Sequence, residues 1–155
     1  MERAIQESNV TVQGKMPVLP EEFEQLLNAT IFMVDDEPIT MEVVQTLLEE
    51  AGYRRFVLIE DSRQALSSLE KQRPDLLLLD LVMPQVSGFD ILKAVRAHPR
   101  LKHLPIIVLT SSSDYRDKLA ALDLGATDFL AKPVDPSELV LRVGDISRMH
   151  QGPAA

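Results

Sequence analysis

Short apolar runs alternate with amphipathic stretches of helical period from residue 29 onward. This alternation is typical of a parallel sheet that helices cover on both faces. The apolar runs predict five strands, at residues 30–34, 55–59, 76–80, 106–109 and 128–130. The runs LLLL and IIVL do not alternate with polar residues, as expected for central strands that are buried on both sides.

An amphipathic helix is predicted after each strand, and its apolar positions indicate its buried face. The first begins at Pro38, a residue suited to a first helical turn, and ends before Gly52. The last follows Asp135, which can cap it while Glu138 reaches back in a capping box. The residues predicted to point inward, helix by helix, are Met41, Val44, Leu47, Leu48 and Ala51; Ala65, Leu66 and Leu69; Phe89, Leu92 and Val95; Leu119 and Leu122; Leu139, Val143 and Ile146. Because crossovers between parallel strands are right-handed, five such units predict an α/β, doubly wound, flavodoxin-like fold of strand order 2-1-3-4-5.

The start of the chain differs in pattern from the rest. It is polar and without apolar periodicity to about residue 20, and residues 19–28 then allow one short helix. We therefore expect a flexible leader with a short helix at 1–28, one domain at 29–149 and a tail at 150–155. A chain of 155 residues, of which 45% are hydrophobic, suits one compact domain. The chain is either a stand-alone protein or the N-terminal piece of a longer one, and we slightly favour the second.

Charge and cysteine content exclude several classes of function. A formal net charge of -8 argues against direct nucleic-acid binding, because that affinity comes chiefly from Lys and Arg neutralising phosphates. With no cysteine there is neither a disulfide nor a thiolate zinc site. No apolar run approaches the ~20 residues that span a bilayer. We expect a cytoplasmic protein that binds neither membrane nor nucleic acid.

Chemistry-bearing side chains follow four of the five predicted strands. Asp35 and Asp36 come after the first strand, Asp80 ends the third, and Thr110 and Lys132 follow the fourth and fifth. These strand ends meet at one edge of the predicted sheet. Clustered carboxylates repel each other unless a cation or proton neutralises them, and Mg²⁺ prefers such oxygen ligands. The sequence therefore predicts a magnesium-binding acidic pocket at this edge.

An aspartate in such a pocket can act as a nucleophile toward phosphorus, because the surrounding groups stabilise charge on the transferring oxygens. We predict that Asp80 is the nucleophile and also a metal ligand, with Asp35, Asp36 and the backbone carbonyl of Val82. Lys132 would pair with a phosphate oxygen and Thr110 would donate a hydrogen bond. Taken alone, the pair Asp35–Asp36 and Thr110 suit a helix cap, and Asp80 and Lys132 suit a surface position. Their combined placement, each after its own strand, argues against these alternatives.

Four motifs, in this order, resemble those of response-regulator receiver domains: VDDEP at 34–38, LLLLDLVMPQVSG at 76–88, LTS at 109–111 and FLAKP at 129–133. The resemblance covers about residues 29–148. It implies phosphoryl transfer from a histidine kinase or a phosphotransfer protein onto Asp80. It also implies a two-state switch in which Thr110 moves toward the phosphoryl group and Phe129, here in place of the commoner Tyr, fills the space left behind.

The resemblance also implies a partner surface. The phosphorylated domain would reshape the face formed by the fourth predicted helix, the fifth strand and the fifth helix. The charged residues of this face match those that join symmetric dimers in the transcription-factor branch of the family: Lys118, Asp128, Glu138 and Arg142. We hypothesise a homodimer with Lys118–Glu138 and Asp128–Arg142 pairs across the two-fold axis. The alternative is ordinary solvated helix charges.

Two other functions compete with this interpretation. An aspartyl phosphohydrolase of the haloacid-dehalogenase type places a second Asp two residues after the first, where this chain has Val82. A receiver that binds partners without phosphorylation would not need the full set of acid, hydroxyl and lysine. We expect no turnover enzyme, only a domain that at most catalyses its own phosphorylation and dephosphorylation.

Overall fold

The computed structural model describes residues 20–111 and 114–150. Helices and strands alternate along this part of the chain from the second element onward. In chain order they are α1 (Pro20–Leu27), β1 (Thr30–Val34), α2 (Pro38–Glu50), β2 (Arg55–Ile59), a short 3-10 turn (Ser62–Gln64), α3 (Ala65–Gln72), β3 (Leu76–Asp80), α4 (Gly88–Ala97), β4 (Ile106–Thr110), α5 (Tyr115–Asp123), β5 (Asp128–Ala131) and α6 (Pro136–His150).

The five strands form one parallel sheet of order β2-β1-β3-β4-β5, which confirms the predicted fold class. The first three strands have the predicted limits, whereas β4 and β5 each extend one residue further, to Thr110 and Ala131. Every residue of β3 and β4 is buried, as the unbroken apolar runs predicted.

Two apolar layers cover the sheet. Side chains of α3, α4 and α5 pack on one face, and those of α2 and α6 pack on the other. Most residues predicted to point inward are buried, and Leu47, Ala51, Leu66 and Phe89 are partly buried against these layers. This arrangement leaves the carboxyl ends of the central strands open between the helices, which is where ligands bind in doubly wound folds.

The predicted inward face of α5 is wrong. Leu119 and Leu122 are 46% and 40% exposed, whereas Ala121 is fully buried. Tyr115, Leu119 and Leu122 follow each other at helical spacing and form an outward stripe, while the partly buried Leu124 packs against the core layer. The helix is rotated so that a small residue lies against the sheet, and the apolar pattern of this short helix does not distinguish the two faces.

The segment predicted as a leader contains α1. Leu26 of this helix is buried, and Glu24 pairs with Arg54 at 2.8 Å. Residues 1–19 of the predicted leader and 151–155 of the predicted tail lie outside the described residues, and α6 includes His150. In 20–111 and 114–150, no helix has the length and apolar character needed to cross a bilayer.

Candidate functional site

The carboxyl edge of the sheet brings the predicted acidic side chains together. Asp35 follows β1 and Asp80 ends β3, and both are nearly fully buried, at 3% and 5% exposed. Asp36 is exposed, yet it offers a carboxylate oxygen within 4.8 Å of oxygens of the other two. Three carboxylates this close form a site that could hold a divalent cation. We call this group, with Lys132, the acidic pocket.

Lys132 neutralises part of the acidic pocket. Its Nζ lies 2.8 Å from Asp35 Oδ2, 3.1 Å from Glu37 Oε1 and 3.5 Å from Asp80 Oδ2. The backbone N–H of Lys132 donates to the Thr110 carbonyl at 3.0 Å, which ties the end of β5 to the end of β4. The ammonium therefore lies beside the proposed nucleophile, and its closest bond is to a neighbouring carboxylate.

Burial and charge shift the protonation of these groups. Burial raises the pKa of Asp80 to about 6, the positive charge of Lys132 opposes this, and Asp35 and Asp36 add to it. Burial alone would lower the pKa of Lys132, but its hydrogen bonds to Asp35 and Glu37 outweigh that and raise the pKa. The hydrogen bond from Lys132 lowers the pKa of Glu37. At pH 7 the Asp80 carboxylate is therefore mostly ionised and lies beside the Lys132 ammonium.

The loop after Asp80 is packed tightly against the end of β3. A Cβ placed on Gly88 would lie 2.1 Å from the Asp80 carbonyl oxygen, so only glycine fits there. The N–H of Val82 points at Asp80 Oδ1 from 3.4 Å, a long hydrogen bond. Ser62 Oγ donates to the Pro84 carbonyl at 3.0 Å and accepts from the Val86 N–H at 3.1 Å. These contacts hold the loop that carries the Val82 carbonyl, one of the predicted metal ligands.

Thr110 and Phe129 lie on the same side of the sheet. Phe129 pairs with Val108 in the β4–β5 register and packs against the same core layer as that residue. Because side chains alternate along a strand, Thr110 points to this side too, at the carboxyl end of β4 and 1% exposed. Phe129 is partly buried, and Lys118 Nζ lies 5.1 Å from its ring centroid. The predicted switch pair thus shares one face.

The four charged residues predicted for a dimer lie on α5, β5 and α6, which together form what we call the α5–β5–α6 face. Arg142 pairs with Asp128 and lies 3.5 Å from Glu138 of its own chain, and Lys118 covers Phe129. Asp135 caps α6 as predicted, since its Oδ1 accepts from the Glu138 N–H at 2.9 Å. The Glu138 carboxylate is near Arg142.

Three contacts were missed by sequence reasoning. Glu37 had no predicted role beyond its place in the motif VDDEP, but its carboxylate accepts a hydrogen bond from Lys132, 95 residues away. Ser62 and the contact of Lys118 with Phe129 carried no sequence signal, because each depends on the relative placement of two elements. The motif VDDEP places Glu37 beside the metal pair, and this neighbourhood is the one signal that could have suggested its role.

Comparison with known proteins agrees with this geometry. The family model of the response regulator receiver domain matches residues 31–144. The chain therefore belongs to the response-regulator receiver domains, the phosphoryl-accepting signalling switches of two-component systems.

Individual relatives support the same assignment. The transcriptional regulatory protein GltR of Pseudomonas aeruginosa is 39% identical over 124 residues, which are 79% of this chain and 50% of GltR. The chain thus spans about half the length of this relative. A solved response regulator from Chloroflexus aurantiacus superposes with a TM-score of 0.73 at 38% identity, covering 77% of this chain and 98% of that one.

One similar structure contains a metal. The receiver domain of the sensor histidine kinase PA1611 from Pseudomonas aeruginosa has a magnesium ion coordinated in its active-site cleft. It matches with a TM-score of 0.70 at 32% identity, over 77% of this chain and 98% of that domain.

Proposed function

We propose that Asp80 is the phosphoryl acceptor of this receiver domain. The observation that carries the proposal is the position of its buried carboxylate, with Lys132 Nζ 3.5 Å away and oxygens of Asp35 and Asp36 within 4.8 Å. A pKa of about 6 leaves most Asp80 carboxylates ionised at pH 7, as a nucleophile requires. Asp80 ends a fully buried strand, so its backbone is held in place beside the groups of the pocket.

In the proposed transfer, a carboxylate oxygen of Asp80 attacks the phosphorus of a phosphohistidine. The new O–P bond forms as the N–P bond breaks, and the imidazole nitrogen leaves with the electron pair. The Lys132 ammonium would pair with a phosphoryl oxygen, and the Thr110 hydroxyl would donate to another. Both stabilise the charge that the three equatorial oxygens carry during transfer.

We propose Mg²⁺ as the metal, held by Asp35, Asp36, Asp80 and the Val82 carbonyl. The donor set fits because it consists of oxygens from carboxylates and one carbonyl, and the partly exposed site leaves room for water ligands. The bound ion would neutralise charge between the carboxylates and the incoming phosphate. The magnesium ion in the PA1611 receiver domain supports the same choice of metal here.

The proposed switch couples Thr110 to Phe129. Movement of the hydroxyl toward a phosphoryl group would open space on the side of the sheet that Phe129 shares. Turning the ring inward would break its contact with Lys118, 5.1 Å from the ring centroid. The α5–β5–α6 face would then change in charge and shape together, which is what a two-state signalling element requires.

We propose two partner surfaces. A histidine kinase or phosphotransfer protein would dock beside the acidic pocket, where Ile39 and Val43 of α2 and Val82 expose apolar side chains. A homodimer would use the α5–β5–α6 face. Because Asp128 already pairs with Arg142 within the chain, dimerisation would exchange that pair for the same pair between two chains.

Chemical labelling tests the acceptor. The protein incubated with acetyl phosphate and Mg²⁺ should gain the mass of one phosphoryl group, and the Asp80→Asn variant should gain none. Asp123→Asn, an exposed aspartate at the end of α5, is the matched control and should label like the parent chain. Labelling that persists in Asp80→Asn would place the acceptor elsewhere.

The same assay separates the competing functions. A phosphohydrolase would release phosphate from a generic phosphoester over many turnovers, which we do not expect because Val82 occupies the place of the second acid. A phosphorylation-independent module would not label with any phosphodonor and would keep its signalling output in Asp80→Asn.

A further inference from the structure

A basic cleft lies at the opposite end of the sheet from the acidic pocket. Its volume is about 300 Å³, and its lining residues are Arg73, Pro74, Arg100, Leu101, His103 and Leu104. They come from the turn before β3 and the loop before β4, so the cleft sits at the amino-terminal ends of these strands. The cleft shares no lining residue with the acidic pocket, so binding there is independent of the proposed function.

The charge of the cleft differs from that of the chain. The protein has a formal net charge of -8, yet the lining contains two arginines and a histidine and no carboxylate. Within 20–111 and 114–150, these three side chains form no ion pair. The nearby Glu70 pairs with His98, and Asp75 accepts from the Thr30 N–H at 2.8 Å. Among the residues that the structure describes, no carboxylate therefore pairs with these arginines.

Hydrogen bonds from Arg96 and His98 hold the loop before β4, which forms one wall of the cleft. Arg96 donates from Nη1 to the carbonyls of Lys102 and Leu104, at 3.1 and 2.7 Å, and from Nε to the Gly125 carbonyl at 2.9 Å. His98 Nε2 lies 3.1 Å from Glu70 Oε2, which ties the loop before β4 to α3. A preorganised wall reduces the ordering cost that a ligand has to overcome.

The opposite wall is equally fixed. Arg73 ends α3 in the left-handed region, at φ 46, and its N–H donates to the Leu69 carbonyl at 3.1 Å. Pro74 and Leu101 form an apolar floor, since both are buried. The guanidinium groups thus border a small apolar cleft, a combination that binds a compact anion through bidentate hydrogen bonds.

We propose that this cleft binds a small phosphate-bearing anion, with Arg73 and Arg100 as the recognising residues and His103 as an additional donor. The volume lies at the lower end of the range for ligand pockets, so a pyrophosphate group or a small phosphate ester fits better than a dinucleotide. Two charge-assisted hydrogen-bonded contacts correspond to a dissociation constant on the order of 1 mM.

Inorganic pyrophosphate is the probe, titrated at constant ionic strength while backbone amide signals are followed by two-dimensional NMR. Saturable shifts are expected at residues 73, 100, 101, 103 and 104, and the same shifts in the Asp80→Asn variant. Unchanged shifts in Asp80→Asn would show that pyrophosphate binding at the cleft does not need Asp80. A failure of the proposed phosphorylation would therefore leave the binding result standing.

Two variants and a matched control identify the binding groups. Arg73→Gln and Arg100→Gln should each weaken pyrophosphate binding at least about tenfold. Arg55→Gln, an exposed arginine at the same end of the sheet but outside the cleft, should change binding less than about twofold. The parent chain alone can overturn the proposal: no saturable shift, or shifts spread over all basic residues, would mean that the cleft is only a solvated basic surface. Equally weakened pyrophosphate binding in all three variants would also show that the cleft is only a solvated basic surface.

Discussion

The acidic pocket and the α5–β5–α6 face hold their charges in different ways. In the pocket the side chains of Asp35, Asp80 and Lys132 are at most 10% exposed, and strand ends fix their positions. On the α5–β5–α6 face the side chains of Asp128 and Arg142 are 24% and 41% exposed. The long Arg142 side chain can pair with more than one carboxylate there. Charges placed by a buried sheet are therefore committed to one arrangement, whereas charges on a half-exposed face can exchange partners at low cost.

The largest effect is expected from removing the pocket's ammonium. Lys132→Met should slow labelling of Asp80 by acetyl phosphate about 100-fold or more, because a charged donor to the transferring oxygens is lost. The same change should strengthen Mg²⁺ binding, since the competing cation of Asp35 and Asp80 is gone. Rates follow from mass spectrometry and affinities from titration calorimetry.

Lys93→Met, an exposed lysine of α4, is the control and should change neither quantity. If Lys132→Met weakened Mg²⁺ binding, the lysine would not compete with the metal for the pocket carboxylates. The proposed role of Lys132 as their counter-ion would then be wrong.

Gly88→Ala tests the tightness of the pocket at its backbone. The added Cβ would overlap the Asp80 carbonyl oxygen, so the free energy of unfolding should fall by about 2 to 3 kcal/mol. Gly144→Ala on α6 is the matched change, because its Cβ meets nothing closer than 3.8 Å, and alanine there should leave stability equal or higher by up to about 1 kcal/mol. Urea unfolding measures both. Similar losses in the two variants would indicate a general effect of alanine and not the close approach.

The sheet was more predictable from the sequence than the helices around it. Central strands buried on both sides appear as unbroken apolar runs, so β3 and β4 were both recognised as strands, and the end of β4 was missed because its last residue, Thr110, is polar. The convergence of Asp35, Asp80 and Thr110 follows from strand order. The buried face of α5 was not predictable. Leu119 and Leu122 are more hydrophobic than Ala121, so an apolar pattern selects them, although Ala121 is the residue that packs inward. Ion pairs such as Asp128 with Arg142 depend on how two elements are placed, which a pattern does not encode.

Lowering the pH should weaken the pocket's metal affinity. The pKa of Asp80 is about 6 in the folded chain, so Mg²⁺ must displace a proton below that pH, and affinity should fall up to about tenfold between pH 6 and 5.

The free energy of unfolding of the metal-free protein should change in the opposite direction and rise as the pH falls. Because the pKa of Asp80 in the folded chain lies above its ordinary value of 3.8, protonation favours the folded state, and this group adds stability as the pH falls from about 6 to 4.

Titrations at pH 8, 7, 6 and 5 measure the affinity, and thermal unfolding of the metal-free chain measures the stability. An affinity that stayed constant from pH 8 to 5 would show that Asp80 is not among the metal's ligands.

The smallest effect is expected on the α5–β5–α6 face. Asp128→Asn should lower the free energy of unfolding by less than about 1 kcal/mol, since half-exposed pairs contribute little. If the face forms the proposed dimer, beryllofluoride should double the light-scattering mass of the parent chain and not of this variant. A mass that stays monomeric with and without beryllofluoride would exclude the dimer.

The bond from Lys132 to Asp35 has a consequence for how this domain is made. Buried acids normally oppose folding until something positive arrives, but here the chain supplies its own counter-ion from a strand end nearly a hundred residues away. Lys132 therefore lowers the cost of burying these acids before any metal binds, so the proposed metal and phosphodonor would meet a pocket whose side chains are already in place.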